Sequence, residues 1–87
     1  MMVDRVYIET AIVSYLTAWP SRDVVIAGHQ QITHEWWDTR RADYQLCVSH
    51  LVLEEAGAGD PQAAQERLAV TRPMLVLETT PEALELA

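Results

Sequence analysis

The stretch Val6-Tyr7-Ile8-Glu9-Thr10 decides how this chain is read, and Val52-Leu53-Glu54-Glu55 echoes it. Each is an apolar run that ends in a carboxylate. Val6 to Ile8 has the β-branched, apolar character of a buried strand in a parallel sheet. An acid at the carboxyl end of such a strand stands where open α/β sheets place their ligands. Two acids converging there can hold a hard cation through oxygen ligands. Glu9 alone fits a second role equally well, as a negative charge beside the positive end of a helix.

Working outward, the first strand is expected over Val3 to Ile8, with Thr10 as cap of a short helix over Ala11 to Ala18. Trp19-Pro20 stops that helix. Ser21 is expected to cap a longer helix, with Asp23 in its first turn, running to Arg41 or Ala42. Helical spacing places Val25, His29, Ile32 and Trp36 on one face of it, which predicts that this face is buried. Tyr44 to Val48 reads as a second strand, and Ser49 as cap of a helix through Ala56. Gly57 to Pro61 is a break, with a glycine closing one helix and a proline opening the next. Gln62 to Thr71 is a fourth helix and Met74 to Glu78 a third strand. Thr80 caps a last helix with Pro81 in its first turn. Strands alternating with helices predict a parallel sheet joined by right-handed crossovers.

Composition narrows the function classes. The 87 residues suffice for one small domain. All six basic residues are arginine, against thirteen acids, for a net charge of -7. Bulk charge therefore repels nucleic acid. Handling RNA would require metal ions to offset the chain's carboxylates, or basic groups from a partner. No apolar run approaches the roughly 20 residues a bilayer demands. The N-terminal Met1-Met2-Val3-Asp4-Arg5 lacks a signal-peptide pattern. A single cysteine, Cys47, has no partner for an internal disulfide, and a reducing cytoplasm is the expected setting.

Glu9 and Glu55 form the leading chemical pair. Neighbouring parallel strands, about 4.8 Å apart, would carry both acids to one edge of the sheet. Glu54 competes with Glu55, but successive helical residues point about 100° apart, so only one faces the cleft. The bland alternative is two solvated acids. His34-Glu35-Trp36-Trp37-Asp38 approaches the His-Glu-x-x-His zinc pattern, yet ends in aspartate, and no third ligand is evident. His29 is expected to pack with its stem buried, His50 to begin the third helix, and Cys47 to be a small hydrophobe in the sheet. Trp19, Trp36 and Trp37 could stack on bases, but core or partner contacts suit them better. Arg40-Arg41 could touch phosphate, although Asp38, Asp43 and Glu35 are closer partners. There is no glycine-rich phosphate loop.

The run Tyr7-Ile8-Glu9-Thr10-Ala11-Ile12-Val13-Ser14-Tyr15-Leu16 resembles the opening of PIN-domain proteins, in which a strand ends in an acid followed by Thr or Ser and an apolar helix. Ser49-His50-Leu51-Val52-Leu53-Glu54-Glu55-Ala56 resembles that family's second motif, and the serine-to-glutamate spacing selects Glu55. The chain looks most like the VapC-like toxins of type II toxin–antitoxin pairs. The resemblance implies a three-layer αβα fold with a central parallel sheet. It implies a metal-dependent endoribonuclease in which Glu9 and Glu55 ligate Mg2+ or Mn2+, Thr10 supports Glu9, and Ser49 caps the helix that aims Glu55. A cognate antitoxin would block the cleft, with RNA as substrate.

The family usually has aspartate where Glu9 stands, and its later acids and strands fall beyond Ala87. Residues 1–87 are thus expected to form a single incomplete PIN-like domain, ending after the third strand. It should bind metal weakly and cleave little RNA on its own. Val3 to Ile8 would then be an apolar edge strand, which invites pairing with another chain. The alternative expectation is a non-catalytic α/β module that contacts an antitoxin or forms a homodimer, through the helix bearing Trp36 and Trp37.

Overall fold

A computed structural model describes residues 4–78, so the start of the first strand at Val3 and the helix expected from Thr80 lie outside the described residues. The elements are β1 (Arg5–Tyr7), α1 (Thr10–Thr17), α2 (Val24–Arg40), a 3₁₀ turn (Arg41–Asp43), β2 (Gln45–Ser49), α3 (His50–Ala56), α4 (Pro61–Thr71) and β3 (Leu75–Leu77). The three strands form one parallel sheet in the order β1-β2-β3. The protein is a small α/β domain. Among the described residues no helix is long and apolar enough to cross a membrane.

Register explains where the core lies. Val6 stands opposite Leu46, and Val48 opposite Val76. Side chains alternate along a strand, so Val6, Ile8, Leu46 and Val48 share one face. That face carries the hydrophobic core: Ile8, Val13, Val48, Val52 and Met74 are buried together, with Ile12, Trp36, Trp37, Leu53 and Val70 packed against them. All four helices contribute to this one cluster. Two right-handed crossovers that step in the same direction across a sheet place both helix pairs on the same side. On the opposite face lie Arg5, Tyr7, Gln45, Cys47 and Leu75, of which only Cys47 is buried.

Several local expectations are corrected. The helix α1 begins one residue early: Glu9 is its N-cap, in extended conformation and without a side-chain cap bond, and Thr10 is the first helical residue. The cap of α2 is Asp23 rather than Ser21. The Asp23 carboxylate accepts the N–H groups of Val25 and Ile26 at 2.9 and 3.1 Å, while the Ser21 hydroxyl accepts the N–H of Asp23. A carboxylate that satisfies two end donors and favours the positive helix terminus outcompetes a serine two residues earlier. The α2 helix ends at Arg40 because the next three residues tighten into the 3₁₀ turn.

The inward face of α2 also differs. Val25 and Ile32 are 68% and 66% exposed, and His29 is exposed and stacked on Tyr15. Gln30 and Thr33 are buried instead. Gln30 is drawn inward by the α1–α2 connection: its Oε1 accepts from the N–H of Ser21 at 2.8 Å, and its Nε2 donates to the carbonyl of Trp19 at 3.1 Å. Two loop backbone groups are satisfied this way, which outweighs the apolar periodicity. Thr33 satisfies its own hydroxyl on the carbonyl of His29 at 2.7 Å. Trp36 still reaches the core, flanked by a stacked Tyr44.

The break between α3 and α4 is built as its residues suggest. Gly57 is the C-cap of α3, Asp60 caps α4 by accepting the N–H of Ala63, and Pro61 opens α4. Gly59 has φ +84°, in the region that favours glycine. Arg67 closes the corner by donating from Nε to the carbonyl of Ala56 at 2.8 Å and from its guanidinium to that of Ala58.

Truncating a core residue and an outward one separates the two faces. Ile8→Ala should cost about 3 kcal/mol, the usual cost of a cavity at a buried aliphatic site. Ile32→Ala should stay within about 0.5 kcal/mol. Urea unfolding of both variants gives the comparison. Equal losses would place Ile32 in the core and refute the described orientation of α2.

Candidate metal-binding site

The carboxyl ends of β1 and β2 lie side by side, because Tyr7 stands opposite Cys47 and the ladder continues with the N–H of Ile8 donating to the carbonyl of Cys47 at 2.8 Å. Immediately beyond, β1 passes into α1 and β2 into α3. The two helix starts therefore flank one cavity, of about 350 Å³, lined by Tyr7, Glu9, Thr10, Ala11, Leu51, Val52 and Glu55. Glu9 and Glu55, the two acids singled out in the sequence, line this same cavity from separate strand–helix units. Glu54 does not line it.

Ser49 orients the second unit. Its hydroxyl accepts the N–H of Val52 at 3.2 Å, capping α3, which carries Glu55 in its second turn. Val52 is buried in the core, so the helix is held at its start by a cap and from beneath by packing.

Thr10 acts on a different partner from the one expected. Its hydroxyl donates to Oε1 of Glu55 at 3.0 Å, across the cavity, rather than supporting Glu9. The reason is the one-residue shift of the α1 start, which makes Glu9 the cap and leaves the Thr10 hydroxyl free to turn toward α3. Tyr7 adds a second bridge that sequence reasoning missed: its phenol shares a hydrogen bond of 2.8 Å with the Ser49 hydroxyl. Alternation placed Tyr7 and Ser49 on the same sheet face, and that was the available signal. Both bridges link the β1–α1 unit to the β2–α3 unit.

Glu9 and Glu55 are exposed, so both carboxylates are available to a ligand. Among the described residues no three His, Cys, Asp or Glu side chains gather as a metal-ligating group. The other candidates are engaged or open elsewhere. Arg40 pairs with Asp43 at 3.2 Å, and Arg41 lies over the Trp37 ring at 4.9 Å. His34 and Asp38 are exposed on α2, and Cys47 is buried in the sheet. Trp36 and Trp37 pack on the core, whereas Trp19 is 91% exposed.

No family model, curated protein or solved structure matches this chain.

The two bridges differ in what they support. Ser49→Ala removes a helix cap and the Tyr7 contact together, and should destabilise the fold by about 1 kcal/mol. Thr10→Val removes only an exposed bond to Glu55 and should change stability by less than about 0.5 kcal/mol. Thermal or urea unfolding of the two variants tests this ranking, and a larger loss for Thr10→Val would contradict it.

Proposed function

We propose that this chain is a PIN-like, VapC-like endoribonuclease toxin domain, with Glu9 and Glu55 as ligands for Mg2+ or Mn2+. The observation that carries this reading is the convergence of Glu9 and Glu55 on one cavity at the carboxyl ends of neighbouring parallel strands. Resemblance of the two acid-bearing motifs to the PIN family supplies the reaction class. In this reading the sheet face bearing Tyr7, Cys47 and Leu75 receives the third layer of the αβα fold.

The donor set suits a hard cation. Magnesium is commonly held by one or two carboxylates, with water completing its shell. Glu9, together with the Glu55 oxygen that Thr10 does not engage, would provide that set. A bound ion would activate water and stabilise charge on a phosphodiester. The chain's own residues prepare the site. Ser49 fixes the start of α3, Thr10 holds one oxygen of Glu55, and Tyr7 ties β1 to the α3 cap. With a net charge of -7, RNA gains no bulk attraction, so the cation would also lower the repulsion. A cognate antitoxin that covers the cavity would silence it, and a cytoplasmic setting suits both partners.

A protein-binding role stands beside this one, and the surface of α2 favours it. Val24, Val25, Ile26 and Ile32 are all exposed. Large apolar side chains grouped on one exposed helix suit contact with an antitoxin or with a second copy of the chain.

With two carboxylates, metal affinity should be weak, with a Kd on the order of 10⁻³ M. Calorimetric titration with Mn2+ should detect it, and Glu9→Gln and Glu55→Gln should each remove it. Magnesium-dependent cleavage of a mixed-sequence RNA should be weak and lost in the same variants. Metal binding that survives both substitutions would overturn the assignment of these ligands.

A further inference from the structure

We propose that the open edge of β1 is a self-association surface, on which two copies pair antiparallel about Tyr7 into one continuous sheet. This rests on the self-association reading given under Proposed function and assigns it a surface. Parallel pairing uses alternate residues of a strand. On β1 the carbonyl of Asp4 accepts from Gln45 and the N–H of Ile8 donates to Cys47, so Asp4, Val6 and Ile8 face β2. Arg5, Tyr7 and the extended Glu9 turn their N–H groups to the other side, where no strand pairs with β1 among the described residues. The carbonyls of Arg5 and Tyr7 point the same way, while that of Glu9 is taken by the first turn of α1.

A two-fold axis at Tyr7 pairs the two Tyr7 N–H and carbonyl groups reciprocally and lets each Glu9 N–H donate to the Arg5 carbonyl of the other copy, leaving the Arg5 N–H without a strand acceptor, and it matches the side chains. Tyr7 pairs with Tyr7 of the second copy. Arg5 falls opposite Glu9 on each side of the axis, giving two symmetric opposite-charge pairs. Val6 falls opposite Ile8 on the core-facing side, again twice. That apolar side opens directly into a groove of about 320 Å³ lined by Val6, Ile8, Ile12, Ile32 and Trp36. The exposed Ile32 therefore borders the pairing line. A shift of the axis to Arg5 would set Arg5 against Arg5. The opposite edge of the sheet, Leu75–Leu77, has no charge within it to fix a register. An isologous, self-complementary strand edge is what closed two-fold dimers use.

The test is a charge exchange read by sedimentation equilibrium across the micromolar range. The wild-type chain should form a dimer. Arg5→Glu turns both charge pairs into repulsions and should raise the dimer Kd roughly tenfold. Adding Glu9→Arg to it should restore dimerisation, and each of these exposed changes should leave the circular dichroism unchanged. A monomeric wild-type chain overturns self-association altogether. A dimer indifferent to Arg5→Glu, or one that the double exchange does not restore, overturns this edge and leaves self-association through another surface.

Discussion

The register of β1 on β2 is the constraint on which the rest of this structure depends. With Val6 opposite Leu46 and Tyr7 opposite Cys47, the helices that follow the two strands begin at matching positions, Thr10 and His50. Each strand turns into a helix whose first residues reach one cavity. A slip by one residue would move Val6 and Ile8 off the core face and bring Tyr7 under the helices. It would also separate Tyr7 from Ser49 and Thr10 from Glu55. The apolar face and the polar rim are thus two results of one pairing: burial of Ile8 and Val48 sets the register, and the register sets which polar groups meet.

The rim is held by bonds between units rather than within them. Tyr7 reaches from β1 to the cap of α3, and Thr10 reaches from α1 to Glu55. Exposed hydrogen bonds of this kind add little to stability. Their effect is orientation, because each restrains a side chain that water would otherwise leave free. The framework beneath is apolar: Val13, Val48 and Val52 are buried below the rim. A site resting on a packed base and trimmed by surface bonds can be altered chemically with modest cost to the fold.

Much of this was legible in the sequence, and the parts that were not share a cause. The strand around Leu46, Cys47 and Val48, the Ser49 cap and the Gly57–Pro61 break are each set by neighbours within a few residues, and the chain reports them directly. The placement of Glu9 and Glu55 followed from strand alternation and helix order. The orientation of α2 was not legible, because Gln30 turns inward to serve Ser21 and Trp19 across a loop, a demand no periodicity encodes. Apolar residues at helical spacing then became surface. The partner of Thr10 was missed for a related reason: a cap shifted by one residue redirected its hydroxyl to a helix that is distant in sequence.

The outward turn of Val25 and Ile32 belongs with the edge of β1 that no strand pairs among the described residues. Apolar surface beside unpaired backbone groups is costly to leave in water, and sheets usually blunt such edges with charge or cover. Here the charges at the edge, Arg5 and Glu9, are of opposite sign and flank a tyrosine, an arrangement that in the proposed pairing would favour an antiparallel partner strand over a parallel one. Glu9 then stands at the meeting point of two surfaces, the cavity it shares with Glu55 and the strand edge it shares with Arg5. A cation in the cavity and a guanidinium across the edge would draw on the same carboxylate. In the proposed arrangement, occupation of one surface would oppose occupation of the other, because both draw on this one side chain at the end of β1 and the start of α1.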